Sequence, residues 1–269
     1  MSEDVPSDRA VFDRVEFMLC DLDGVVWLAR QAIPGAAEAI ERIRASGRRV
    51  LFVTNNSISI IAEQEQALHD IGVPARGDVV SSAQAAASLV ETGQEVMVCG
   101  GPGVREAVET RGGVLVPPGR GATPDVVVVG LDRHFGYPIL DEASTAIRNG
   151  AGFIATNDDA TFPTPTGFTP GAGSIVAAIA TAAGREPIIA GKPHRAMGDL
   201  VRQECGPRFA AETALMVGDR WSTDGVFADV LGCPFALVRT GVTAFGAEAG
   251  GVADIDQPDL AAVVNQIVG

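Results

Sequence analysis

The stretch that most constrains this chain is "PDVVVVGLD", residues 124–132, four consecutive valines closed by a glycine and an aspartate. A short valine-rich run bounded by turn residues reads as a buried β-strand. Similar runs recur at "VEFMLCD", "RRVLFVTNNS", "QEVMVCG", "GFIATND", "TALMVGD" and "PFALVRTG". Helical patterns alternate with them, over "PGAAEAIERIRASG", "IIAEQEQALHDIG", "GVREAVETRG", "PILDEASTAIRNG", "GAGSIVAAIATAAG", "TDGVFADVLG" and "PDLAAVVNQIVG". Pro34 near the start and Gly47 at the end of the first of these follow the usual asymmetry of helix termini. The alternation predicts an α/β fold with a doubly wound, mainly parallel, Rossmann-like sheet.

No fixed-period repeat and no low-complexity linker marks a boundary. Polar residues at strand ends cluster near 20–57 and 191–224, and the segment between carries strands and helices of its own. The expected organisation is a core built from 1–82 and 184–269, with 83–183 inserted as a separate α/β domain.

Composition narrows the function classes. The net charge of −14 argues against non-specific binding to nucleic acid or to an anionic membrane. An anionic substrate would have to meet a local positive site. The opening "MSEDVPSDRA" is acidic, unlike a secretory signal, and "GSIVAAIATAAG" is too short to span a bilayer. A cytoplasmic location is expected. The four cysteines form no CxxC pair, and Cys20 and Cys99 sit in apolar runs that read as buried thiols. His69, His134 and His194 show no zinc spacing. Of 20 basic residues, 19 are arginine, and Lys192 is the one lysine. A compact ammonium and a planar guanidinium are not interchangeable, so Lys192 is a candidate for a place that Arg cannot fill.

Four motifs share one context, the C-terminal end of a predicted parallel strand, where ligands of open α/β sheets bind. They are Asp21-Leu22-Asp23-Gly24, Thr54-Asn55-Asn56-Ser57, Gly191-Lys192-Pro193 and Gly218-Asp219-Arg220, with Asp224 five residues beyond Asp219. Singly, each could be a polar turn or a helix cap. Jointly, they offer carboxylates at one sheet edge with a hydroxyl, adjacent amides and the one lysine. Hard oxygen ligands suit Mg²⁺, and hydroxyl, amide and ammonium donors suit a phosphoryl group. The combination reads as phosphoryl transfer. "CGGPGVRE" has a dinucleotide-loop look, but Glu106 stands where the third glycine would be, so a simple strand-to-helix turn is expected there.

"DLDGVVW", "VTNNS", "GKP" and "GDRWSTDGVFA" together resemble the four motifs of the haloacid dehalogenase (HAD) phosphohydrolase superfamily. "GLDRHFGYPILDEASTAIRNGAGFIATNDD" and "PTGFTPGAGSI" are similar to the large α/β cap of its NagD-like branch. That branch includes p-nitrophenylphosphatases, phosphoglycolate and glycerol-phosphate phosphatases, nucleotide monophosphatases and pyridoxal-phosphate phosphatases. The resemblance implies that Asp21 is the nucleophile and Asp23 the general acid and base. It implies that Asp21, the Asp23 carbonyl and Asp219 hold Mg²⁺, with Asp224 orienting the metal's water shell or ligating directly. Thr54, the Asn55 amide and Lys192 would grip the phosphate. The cap loop with Asn157, Asp159 and Phe162 would choose the leaving group. The implied substrate is a small phosphate ester, and a homodimer through the cap is expected. The branch often carries a lysine shortly after the cap tyrosine, where this chain has Ile139. A phosphotransferase or mutase on the same phosphoenzyme remains the alternative within enzymes, and a non-catalytic metabolite-binding regulator the alternative outside them.

Overall fold

The computed structural model describes residues 12–119, 121, 123–164, 167–244 and 246–269, with backbone alone for 162–164. The acidic opening read against a secretory signal falls outside the described residues. The chain divides into two compact units. One comprises the chain up to Thr54, Glu65–Val79 and Val201–Gly269, and the other Asn55–Gln64 and Val80–Leu200.

The first unit is organised on a six-stranded sheet. Its order is Ile255–Gln257, Phe235–Val238, Ala214–Gly218, Phe17–Cys20, Arg49–Thr54 and the edge strand Val79–Ser81, of which Val79 alone is counted in this unit. Phe17–Cys20 lies at the centre, parallel to both neighbours, with Cys20 opposite Val217 on one side and Phe52 on the other. Every residue of Phe17–Cys20 is buried, as is all of Ala214–Gly218. Helix Ala36–Ala45 covers part of the sheet through Ala36, Ala39, Ile40 and Ile43, a spacing that gives one apolar stripe. It is shorter than its predicted 34–47: Gly47 takes φ +84° just after the helix, where an L side chain would be strained. Helix Leu260–Val268 starts on Asp259, whose carboxylate accepts from the Ala262 N–H at 2.8 Å.

The second unit has a five-stranded sheet in the order Ile188–Ile189, Gly152–Ala155, Val126–Val129, Glu95–Cys99 and Val114–Val116, with parallel pairings throughout. All four valines of Val126–Val129 are buried. Val127 and Val129 join Met97, Phe153 and the apolar faces of helices Tyr137–Arg148 and Ala172–Ala183. Val126 and Val128 point to the opposite face by the period of a strand. Burial stabilises each valine by about 1.5–3 kcal/mol relative to exposure, so both faces need cover. An antiparallel hairpin, Thr161–Thr164 with Gly167–Pro170, follows Gly152–Ala155 in the chain.

In this division 55–64, 80–82 and 184–200 group with the second unit. The physical reason is a set of bonds centred on Asn55. Its carbonyl accepts from Ser82 Oγ and Asn157 Nδ2, and its side chain bonds the backbone of Lys192. The strand ahead of Lys192 also pairs with Gly152–Ala155 and lies in the second sheet, not the first. No helix among the described residues is long and apolar enough to cross a membrane.

Candidate active site

Three adjacent strands of the first sheet end at the same edge. Asp21 directly follows Phe17–Cys20, Thr54 closes Arg49–Thr54, and Asp219 directly follows Ala214–Gly218. The Asp21 N–H donates to the Val217 carbonyl at 2.9 Å, which continues the parallel register and fixes where that side chain starts. Its Oδ1 accepts from the Leu22 N–H at 2.8 Å. Gly24 then turns the chain at φ +84°, with its N–H on the Trp27 carbonyl at 2.7 Å, while the Leu22 carbonyl collects the N–H of Val26 at 2.9 Å. Asp21 and Asp23 are both partly buried on this turn.

Asp219 and Asp224 are deeper, with Asp224 fully buried. Asp219 Oδ2 accepts from the Val242 N–H. Asp224 comes back to the strand end through a single π-helical turn, Trp221–Gly225, which precedes helix Val226–Leu231. Its N–H donates to the Arg220 carbonyl at 2.8 Å, and its Oδ2 accepts from the Arg220 N–H at 3.2 Å. Glycines make room for both carboxylates. A Cβ on Gly24 would lie 2.5 Å from Asp219 Oδ2, one on Gly241 would overlap the same carboxylate, and one on Gly218 would overlap Asp224.

The result is a cluster in which carboxylate oxygens of Asp21, Asp219 and Asp224 all lie within 4.8 Å of one another. At an effective dielectric of about 20, each charged pair at such a distance repels by about 3–4 kcal/mol. A divalent cation relieves that repulsion. The donor set is oxygen only, which fits Mg²⁺ or Ca²⁺ and does not fit a thiolate-preferring metal.

In the second unit, Lys192 is almost wholly buried, at 2 % exposure. Its N–H donates to Asn55 Oδ1 at 2.8 Å and its carbonyl accepts from Asn55 Nδ2 at 3.0 Å. Asn55 Nδ2 also reaches Asp159 Oδ2 at 2.9 Å. The Gly191 N–H donates to the Thr156 carbonyl at 2.7 Å. Asn157 is committed to the loop itself: Nδ2 donates to the Asn55 carbonyl and Oδ1 accepts from the Asp159 N–H at 3.2 Å. Asp158 faces His194 at 3.6 Å, and the imidazole holds its carboxyl below the usual range against the opposing effect of burial. The side chain of Phe162 lies outside the described residues. Ile139, at the position where the branch often has lysine, packs against the apolar core of this unit.

Other candidates resolve into packing. The dinucleotide-like glycines are filled by protein: a Cβ on Gly101 would sit 2.9 Å from the Ile58 carbonyl oxygen, and one on Gly103 would overlap that of Ser59. Cys20, Cys99, Cys205 and Cys233 are buried thiols outside any disulfide, and burial pushes Cys99 and Cys233 up to about 12. Neither is a nucleophile at neutral pH. Trp221 packs edge-on to Phe235, with ring centroids 5.8 Å apart. The residues that sequence reasoning missed are Thr240, Gly241 and Val242, which follow strand Phe235–Val238 and touch Asp219 and the Asp23–Gly24 turn. The signal was present, since "VRTG" is also a parallel strand end, but a backbone donor leaves no mark in residue type.

Parallel strands with an oxygen-only acidic cluster at their carboxyl ends define a Rossmann-like α/β protein. Comparison with known proteins narrows this. Residues 18–113 match the family model for haloacid dehalogenase-like hydrolases, and residues 189–267 match a HAD-hydrolase-like model. The chain belongs to the haloacid dehalogenase-like hydrolase family. It is 40 % identical over 240 residues to D-glycerol 3-phosphate phosphatase of Mycobacterium tuberculosis, covering 87 % of this chain and 65 % of that protein. It is 35 % identical to phosphoglycolate phosphatase 2 of Arabidopsis thaliana, covering 87 % of this chain and 86 % of that protein. The crystal structure of a glycerol phosphate phosphatase from Mycobacterium tuberculosis in complex with magnesium superposes with a TM-score of 0.83 at 37 % identity, covering 94 % of this chain and 77 % of that one. The same phosphatase is also solved in complex with calcium.

Proposed function

We propose that this hydrolase is a Mg²⁺-dependent phosphatase of small phosphomonoesters, of the phosphoglycolate, glycerol phosphate, nucleoside monophosphate or p-nitrophenyl phosphate type. The carrying observation is the gathering of Asp21, Asp219 and Asp224 at one sheet edge beside the end of the Thr54 strand. The relatives named as phosphatases support the substrate class.

Asp21 is the nucleophile in this reading. Its carboxylate oxygen attacks phosphorus, the bond from phosphorus to the leaving alcohol oxygen breaks, and an aspartyl-phosphate forms. Asp23 gives its proton to the leaving oxygen and then takes one from the water that attacks the aspartyl-phosphate. Phosphate leaves and both aspartates return to their starting states. Thr54 Oγ1 and the Asn55 backbone N–H bind phosphoryl oxygens, while the Asn55 side chain holds the backbone of Lys192. The Lys192 ammonium is assigned the negative charge of the phosphoryl group. Asp21, the Asp23 carbonyl, Asp219 and Asp224 would hold Mg²⁺, which when bound supplies positive charge for the crowded oxygens. The cap loop bearing Asp159 and Phe162 selects the alcohol. We assign the protein to the cytoplasm, with a homodimer formed through the inserted domain.

A panel of phosphate esters ranked by kcat/KM, with Mg²⁺ and with EDTA, tests the reading. Phosphate release that depends on the metal and favours small esters supports it. Release that ignores chelation, or tight metabolite binding with no turnover across the panel, overturns it.

A further inference from the structure

The structure assigns Arg239 as a positioning residue for the acidic centre, acting through the backbone of Thr240–Val242; this rests on the metal-holding role proposed for Asp219. Arg239 directly follows strand Phe235–Val238, and its guanidinium makes a two-pronged contact. Nε donates to Asp256 Oδ1 at 2.8 Å and Nη2 donates to Asp256 Oδ2. Nη1 turns the other way, to the carbonyls of Ala247 at 2.8 Å and Ala244 at 3.4 Å. The Arg239 N–H donates to the Pro258 carbonyl at 3.2 Å. One side chain therefore ties the strand Ile255–Gln257 to the chain that leaves the neighbouring strand. A fork of fixed geometry suits this, where a lysine could offer only a point charge.

What Arg239 braces is not a bystander. Thr240 Oγ1 donates to the Gly24 carbonyl, and the Val242 N–H donates to Asp219 Oδ2. Between them, Gly241 lies flat against Asp219, and its Cα would be 2.9 Å from a Cβ on Gly24. The three residues thus span from the turn that carries Asp23 to the carboxylate of Asp219. Their position fixes where Asp219 Oδ2 is held, and with it the orientation of the carboxylate. Groups behind metal ligands set ligand orientation, and their loss weakens metal binding without touching the metal.

The electrostatic alternative has the opposite sign. Arg239 is a cation, so removing it would by loss of Coulomb repulsion alone strengthen binding of another cation. Weaker binding after its removal therefore reports positioning. Mg²⁺ binding to the full-length chain, measured by calorimetry with no substrate present, is compared for wild type, Arg239→Gln and Asp256→Asn, with urea melts alongside. The expected result is about a tenfold loss of Mg²⁺ affinity in both single variants, the low end for groups behind metal ligands, and no further loss in the double variant. In turnover, the Mg²⁺ concentration for half-activation should rise, with KM for the ester unchanged at saturating metal. Thr240→Val, which removes only the bond to Gly24, should show a smaller loss in the same direction if Arg239→Gln does not fold. Wild-type binding with affinity unchanged or raised in folded Arg239→Gln, or, where that variant does not fold, unchanged in folded Thr240→Val, overturns the inference and leaves the proposed function standing. No Mg²⁺ binding to the wild type overturns both.

Discussion

Asp219 and Gly241 approach so closely that Gly241 has no space for a side chain: a Cβ there would overlap the Asp219 carboxylate. Gly241→Ala must push Asp219 out of the cluster with Asp21 and Asp224. The expected outcome is a loss of about 10–100-fold in Mg²⁺ affinity and a matching fall in activity at limiting metal, read by calorimetry and phosphate release. Gly47→Ala is the control. Gly47 also has φ +84° but open space around it, so it should cost about 1 kcal/mol of stability and leave metal binding alone.

Asn55 determines the placement of Lys192. Asn55→Ala strips the partner from the buried Lys192 N–H and frees its carbonyl, so stability should fall by about 1–3 kcal/mol in denaturant melts. Lys192→Arg should not restore activity to the wild-type level, because a guanidinium does not fit a site that buries an ammonium to 2 % exposure. A kcat for Lys192→Arg within twofold of wild type would contradict the assigned role.

Mg²⁺ should stabilise the fold by occupying the acidic cluster. At a concentration of 100 times Kd the gain is about 2.7 kcal/mol, which for a chain of this length corresponds to a rise in Tm of about 5–10 °C. Asp219→Asn should abolish the rise. Thermal melts with Mg²⁺ and with EDTA check both.

The bond between Arg239 and Asp256 has a defined pH signature. Hydrogen bonding from the guanidinium holds the Asp256 carboxyl below its ordinary value of 3.8. A folded-state value below the unfolded one gives stability that is present above about pH 4 and is lost as pH falls through the folded value. Asp256 is about half exposed, so the contribution at pH 7 is on the order of 0.5 kcal/mol. Melts of wild type and Asp256→Asn should differ at pH 7 and converge as pH falls through the lowered folded value.

The alternating valine runs made the α/β architecture readable because burial of both strand faces admits few residue types. Asp21, Thr54 and Asp219 were readable as one edge for the same reason, each closing a strand of unmistakable composition. Contacts made by backbone or by unmarked residues were not readable. The hairpin Trp27–Leu28 with Gln31–Ala32 turns on Ala29 and Arg30, both at positive φ, where Asn or Gly would have announced it. Strand Ile255–Gln257 is three residues with an aspartate in the middle, too short for a period to show. Ile188–Ile189 reads as a strand, but nothing in two isoleucines says which sheet it joins. Asn55 reads as a turn residue, and only the fold reveals that its amide holds Lys192 and Asp159.

The central claim is that Asp21 takes the phosphoryl group. Phosphate release from the best ester of the panel, at saturating Mg²⁺, should fall by about three orders of magnitude or more in Asp21→Asn with the melting temperature preserved. An Asp21→Asn protein that stays folded and turns over within about tenfold of wild type would contradict the account.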